Sequence, residues 1–376
     1  MAENSSVKSR QSNMELLRIV AMLMIITLHY LDKGNVLPEF AQMSAPNHYL
    51  AWFVEALCYT AVNLYVLISG YFLCTSKFTF KKLFLLWIQI IFYSWIIGGI
   101  FLLTGMAGEG ATSIYELIFI AFPVTAGHYW FATVYVLLFC VFPFVNAGVA
   151  KMNKKQHRAC MVMLLVVFSL WNTVLPMTIP MADNEGMDIA WFITVYIVAA
   201  YLRKYPEDMK HKRWVYVAGY FLLCGVTFIS GILLVYVDGI VGKLGGYATN
   251  WYAYNSLPVL LASVCLFIAF IKTDIKNIKF GKVINMISGA TFGVYLIHEH
   301  RYMRYLWPQW LGVEQNSDKP WMILHLLGSV LLVFAIGTII ELVRKWLFGL
   351  VTNRMWFDSI FKKIAGIEEK VNGDAS

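Results

Sequence analysis

Arg18 and His29 stand eleven residues apart in an apolar stretch, MELLRIVAMLMIITLHY, residues 14–30. At about 100° per residue they differ by about 20° around a helix, so they share a face, and they lie about 16 Å apart along it. Glu15 is one turn before Arg18 and can pair with it. Imidazole titrates near neutral pH and suits proton transfer. Guanidinium suits phosphate or carboxylate. Ionisable groups inside a membrane are costly and by default mark a functional site. Two blander readings stay open on these residues alone. Arg18 can be an anchor that snorkels to the membrane edge, and His29 can be a histidine hydrogen-bonded inside a bundle.

The elements that must hold these groups are set by composition. The chain has 376 residues, of which 59% are hydrophobic, 16% aromatic and only 14% charged. Soluble domains carry about 25% charged residues. Apolar runs of about 20 residues recur, each long enough to cross a hydrocarbon core of about 30 Å. This predicts an all-α, polytopic integral membrane protein with about ten transmembrane helices. The expected limits are 14–33, 50–73, 82–104, 129–149, 158–176, 187–203, 214–237, 250–271, 283–300 and 321–348, with 187–203 and 283–300 the least apolar. The run YELIFIAFPVT at 115–125 is too short to span and reads as interfacial or re-entrant. The segment from Glu15 to His29 does not read as a cleaved signal peptide, because charges interrupt the apolar core and no small-residue cleavage site follows.

The net charge of +8 fits cytoplasmic loop bias better than nucleic-acid binding. Lys and Arg gather in alternate connections: Lys8 and Arg10; Lys77, Lys81 and Lys82; Lys151, Lys154, Lys155 and Arg158; Arg203, Lys204, Lys210, Lys212 and Arg213; Lys272, Lys276 and Lys279; and Arg354, Lys362 and Lys363. The intervening loops are poor in them, with Lys33 in the first and Lys243 in the seventh. Only the ninth, with Arg301, Arg304 and Lys319, breaks the alternation. The pattern predicts both termini in the cytoplasm: a tail at 1–13, a membrane domain at 14–348 and a tail at 349–376. The sequon at Asn4 then has no meaning. In the C-terminal tail Trp356, Phe357, Ile360, Phe361, Ile364 and Ile367 form one apolar stripe, which predicts an amphipathic helix on the membrane surface.

This orientation brings Glu55, His128, His298 and His325 to the depth of His29, in the outer half. Each alone can be a loop-edge residue, but together they suggest a polar chamber, with Arg18 on a path from inside. Asn63, Ser69 and Gly70, and Ser288, Gly289 and Gly293, mark two spans. Small residues either pack membrane helices closely or leave room for a narrow ligand. The six cysteines form no CxxC pair and read as small hydrophobes. No nucleotide-binding loop, HExxH or GxSxG occurs, so no metal is expected.

Four segments together resemble one family, the acyltransferase 3 family of bacterial integral-membrane acyltransferases. MELLRIVAMLMIITLH matches its pattern of acidic residue, Leu-Arg, then ten residues to a histidine. VNLYVLISGYFL is similar to its aromatic run ending in Ser-Gly-Phe. HYWFATVYVLLFCVFPF resembles its Trp segment with a later Pro, here Trp130 and Pro143. SGATFGVYLIH resembles its Ser-x-x-x-Tyr-Leu-x-His ending. The order of the four and the ten expected spans add specificity, and the likeness extends over 14 to about 348. Departures are Val66 after Tyr65, where the family often has a second aromatic, lysines at 81 and 82 for arginines, and Glu299 after His298 for Pro.

The resemblance implies transfer of an acyl group, usually acetyl, from cytoplasmic acyl-CoA to a hydroxyl on an extracytoplasmic glycan or lipid-linked sugar of the cell envelope. Arg18, oriented by Glu15, is then assigned to the donor, and Lys77, Lys81 and Lys82 to the CoA phosphates. His29 is assigned as general base, a role worth about 10² to 10⁴-fold; the alternative that it carries the acyl group covalently stays open. His298, Asn63, Tyr65, Ser69 and Trp130 are further candidates for donor or acceptor contacts, and Glu55 and His128 follow from depth alone. A membrane transporter of a small or acylated solute is the alternative function, since transporters also place charges at the midplane. No internal repeat supports it.

Overall fold

The computed structural model describes residues 11–106, 112–174, 184–242, 247–352, 354–363 and 365–372. Lys8, Arg10, Asn4, Lys243 and Ile364 lie outside the described residues. Within them the chain is helical and has no strand. The order is α1 (Ser12–Lys33), α2 (Pro46–Cys58), α3 (Ala61–Leu73), α4 (Phe80–Thr104), α5 (Ile114–Ala121), α6 (Trp130–Lys151), α7 (Lys154–Leu165), α8 (Trp171–Val174) and α9 (Ile189–Lys204). Then come α10 (Arg213–Val241), α11 (Leu257–Ile271), α12 (Ile278–Ser288), α13 (Thr291–His298), α14 (Met303–Trp310), α15 (Val313–Asn316), α16 (Met322–Thr352), α17 (Met355–Lys362) and α18 (Ala365–Asn372).

Eight helical stretches are long and apolar enough to cross a membrane. The other two expected spans are helices of 16 and 15 residues, α9 and α11. Fifteen residues reach only about 22 Å, short of a core of about 30 Å. The expected start at 250 is replaced by turns that run to Ser256, where Pro258 opens α11. The short run expected to be interfacial or re-entrant is α5, bound to α4 by Ser94 Oγ and Trp95 Nε1, which donate to the carbonyls of Ile120 and Ala121.

Three of the expected spans are interrupted. The second breaks at Tyr59–Thr60, between α2 and α3. The fifth passes through a π-helical turn, Val166–Leu170, between α7 and α8. The ninth breaks at Gly289–Ala290, between α12 and α13. Two charged side chains hold that last break. Ser288 Oγ donates to Glu15 Oε2 at 2.5 Å, and Lys345 Nζ donates to the Gly289 carbonyl at 2.6 Å.

At the centre stands α1, which packs against α2, α3, α11, α12, α13, α14 and α16. Its Met14, Leu17, Ala21, Ile26, Tyr30 and Leu31 are fully buried. The helix that carries the candidate chemistry is therefore held by seven other helices.

The C-terminal segment forms two helices, α17 and α18, that fold against the turn between α3 and α4. Phe357 and Phe361 pack on Phe84, Lys81 pairs with Asp358 at 2.5 Å, and Phe357 is buried. Asn372 accepts from the Phe78 amide at 2.7 Å, and Glu368 accepts from the Phe80 amide at 2.7 Å.

Candidate active site

His29, late on α1, meets His298, the last residue of α13. His29 Nδ1 lies 3.0 Å from His298 Nε2. His298 Nδ1 is 2.6 Å from the carbonyl oxygen of Val294. A carbonyl only accepts, so His298 Nδ1 carries a proton. In neutral His298 the lone pair is then on Nε2, and His29 Nδ1 must be the donor between the rings. That leaves the lone pair of neutral His29 on Nε2, which has no protein partner among the described residues. The tautomers follow from the hydrogen-bond chain alone. His298 is 2% exposed and the His29 side chain 17%, so the open nitrogen belongs to the more accessible ring.

Glu299 adds a carboxylate. Its Oε2 is 3.2 Å from His29 Nδ1, a charge contact, since the Nδ1 proton is aimed at His298. Its Oε1 is 3.1 Å from the Arg304 guanidinium. Arg304 also reaches the His128 carbonyl at 3.4 Å. His29, His298, Glu299 and Arg304 thus form one connected set with a net pairing of carboxylate and guanidinium.

One face of α1 carries the second set. Arg18 Nη1 donates to Glu15 Oε2 at 2.7 Å, and the same oxygen accepts from Ser288. Tyr65 OH donates to the Arg18 carbonyl at 3.0 Å. Glu15 is buried, and the Arg18 side chain is 27% exposed.

The other sequence candidates are sorted by their partners. Asn63 is engaged at both ends: its amide nitrogen donates to the Tyr254 carbonyl at 2.7 Å, and its oxygen accepts from Trp191 Nε1 at 3.0 Å. Trp130 stacks on Tyr254, which stacks on Tyr59. Ser69 donates to Tyr135 OH at 3.2 Å. Glu55 is buried, and its Oε2 has no hydrogen-bond partner among the described residues. His128 pairs with His300, ring centroids 4.6 Å apart, and accepts from the Arg301 amide. His325 bonds Tyr30 OH at 2.7 Å and the Leu311 carbonyl. The five groups expected at one depth therefore take separate partners, and only His29 and His298 bond each other directly. Of the three lysines, Lys81 is committed to Asp358; Lys82 lines a cleft beside it, with Lys362 and Glu368; and Lys77 sits in the turn before α4.

Three features were not legible as site residues. Glu299 stood out only as a substitute for Pro. Arg304 stood out only as part of a breach of the loop-charge alternation, and its ion pair with Glu299 accounts for its own place in that breach. Arg301 does the same with Glu116 at 2.6 Å and lies over the Phe119 ring. The third is a buried cluster on α16. Glu341 accepts from Arg344 at 2.6 and 2.7 Å, from Tyr93 OH at 2.6 Å and from Gln89 at 3.2 Å. Opposite charges one turn apart inside an apolar run were the available signal.

A family model for an acyltransferase domain, Acyl_transf_3, matches residues 11–343. The chain belongs to this acyltransferase family. No curated protein and no solved structure matches it. The matched range of this acyltransferase runs from the start of α1 into α16 and so contains both polar sets described above. Together with the eight membrane-capable helices it makes the chain a multi-pass membrane acyltransferase. An acyltransferase needs a donor and an acceptor, and among the described residues no group of His, Cys, Asp and Glu is placed to hold a metal ion.

Proposed function

We propose that this acyltransferase moves an acyl group, acetyl as the usual choice, from cytoplasmic acyl-CoA to a hydroxyl of an extracytoplasmic glycan or lipid-linked sugar at the bacterial cytoplasmic membrane. The observation that carries the reading is the open Nε2 of His29 with its Nδ1 engaged behind it. A sugar hydroxyl is a weak nucleophile until a base takes its proton. His29 Nε2 accepts that proton as the hydroxyl oxygen bonds the thioester carbonyl carbon. The imidazolium formed is stabilised through Nδ1 by His298 and by the nearby Glu299 carboxylate. The C–S bond then breaks, and the proton on Nε2 passes to the leaving CoA thiolate. Products are the O-acyl ester and CoA-SH, so atoms and charge balance without a metal or a redox partner.

Arg18, held by Glu15, serves the donor from the other end of the same helical face, about 16 Å away. One helix thus addresses both substrates. Replacing His29 by Ala tests the reading. Acyl transfer to the cell-surface glycan is expected to fall by at least about 10²-fold, with the protein still present in the membrane at its usual level. Mass spectrometry of surface glycans reads the outcome and also identifies the acceptor. Wild-type acylation in the variant would remove His29 from the mechanism.

A further inference from the structure

The turn that carries Lys77, Lys81 and Lys82 is largely occupied by the C-terminal helices, as described above. A second basic place at the same end of the molecule is open. A cleft of about 690 Å³ lies between the start of α1, the end of α11 and the first half of α12. Ser12, Thr273, Asp274, Lys272 and Lys282 line it, and so does Tyr71 of α3, a few residues before the lysine turn. Lys272 and Lys282 are exposed, and neither forms an ion pair with the described residues, whereas Lys81 does.

We infer that this cleft takes the nucleotide part of the acyl-CoA donor, with its phosphates between Lys272 and Lys282. The inference rests on the proposed reading that acyl-CoA is the donor. Three observations carry it. First, two ammonium groups on one cleft, neither of them in an ion pair with the described residues although Lys272 also lies over the Tyr216 ring, attract a polyanion. Second, Asp274 beside them disfavours a bare anion. A nucleotide offers hydroxyl and amine donors to that carboxylate while its phosphates meet the lysines. Third, the cleft adjoins the inner polar set. Asn285 on its wall is one turn before Ser288, whose hydroxyl bonds Glu15, and Glu15 holds Arg18. The nucleotide therefore sits where its acylated arm enters along the seam of α1 and α12, on the way to His29.

Gly281 sets that seam. A Cβ there would stand 2.8 Å from Ser12 Oγ, so the start of α1 and α12 approach each other closely at this point.

Calorimetry on the detergent-purified full chain tests the inference, with CoA as one ligand and pantetheine, which lacks the nucleotide, as the other. The Lys272→Glu, Lys282→Glu double variant is expected to bind CoA about tenfold or more weakly, which corresponds to about 1.4 kcal/mol. The difference should shrink as salt rises, and pantetheine binding should not change. Both lysines are exposed, so folding should be kept; an unchanged elution profile and recovery of CoA affinity in Lys272→Arg, Lys282→Arg check this. The inference is overturned if the Glu variant keeps wild-type affinity for CoA. It is also overturned if Lys81→Glu, Lys82→Glu alone loses CoA, which moves the phosphates to the other turn and leaves the donor reading standing. If the wild-type chain binds no CoA at all, the donor reading fails and this inference fails with it.

Discussion

At the scale of residues, the arrangement around His29 depends on a single proton position. Val294 fixes the proton on His298 Nδ1, and that choice leaves His29 a base at Nε2. Removing His298 frees His29 to adopt the other tautomer and to rotate. In the His298→Ala variant kcat for acyl transfer is expected to fall by about 10²-fold, with little change in the KM for the donor. A variant that keeps its kcat would show that the relay does not set the base. Nitrogen-15 shifts of the two rings give a second readout, with an unprotonated Nε2 expected on each at neutral pH. The sequence made half of this set legible. The spacing from Arg18 to His29 pointed to one helical face, and Glu15 was placed as the partner of Arg18, where the structure has it. Glu299 and Ser288 were not assigned, because each reaches α1 only through tertiary packing of a broken span that hydropathy shows as continuous.

At the scale of elements, that broken span decides where His298 lies. α13 is eight residues long and begins at a break gripped by Glu15 on one side and Lys345 on the other. α16 also presses on it at Gly293, where an added Cβ would collide with the Glu341 carboxyl group. Glu341 is wholly buried, and Arg344, Tyr93 and Gln89 satisfy its oxygens. Breaking such a pair on one side strands a charge, at a cost of about 3–5 kcal/mol, whereas replacing both partners by apolar residues costs far less. Arg344→Leu is therefore expected to lower the melting temperature more than the Glu341→Leu, Arg344→Leu double variant does. The reverse order would mean that the ion pair itself, not the relief of a stranded carboxylate, holds α16 against α4 and α13. The apolar runs announced every one of these helices. The breaks were not announced, since Gly289 and Ala290 fit a packed membrane helix as well as a hinge.

At the scale of the whole molecule, a central α1 ringed by other helices makes one helix the support of both polar sets. The loop-charge pattern that predicts an orientation for the bundle was readable, and two of the three charges that breach it are paired within the protein: Arg301 and Arg304 are spent on Glu116 and Glu299. The orientation has a direct check. A single cysteine placed at Lys154, in a chain stripped of its six native cysteines, is expected to resist an impermeant thiol reagent applied from outside and to react once the membrane is opened. Labelling in intact cells would invert the topology and with it the sides assigned to donor and acceptor. The hydrogen-bond chain behind His29 has one more consequence at this scale, for cellular energetics. The chain ends on the carbonyl of Val294, a group that can hold a proton but cannot take one. On the proposed mechanism a proton gained by His29 has no exit through His298 and returns through Nε2 to the departing thiolate. The transfer then moves no net charge across the bilayer by this route. In sealed vesicles the rate of acylation is expected to be the same before and after an uncoupler collapses the proton-motive force.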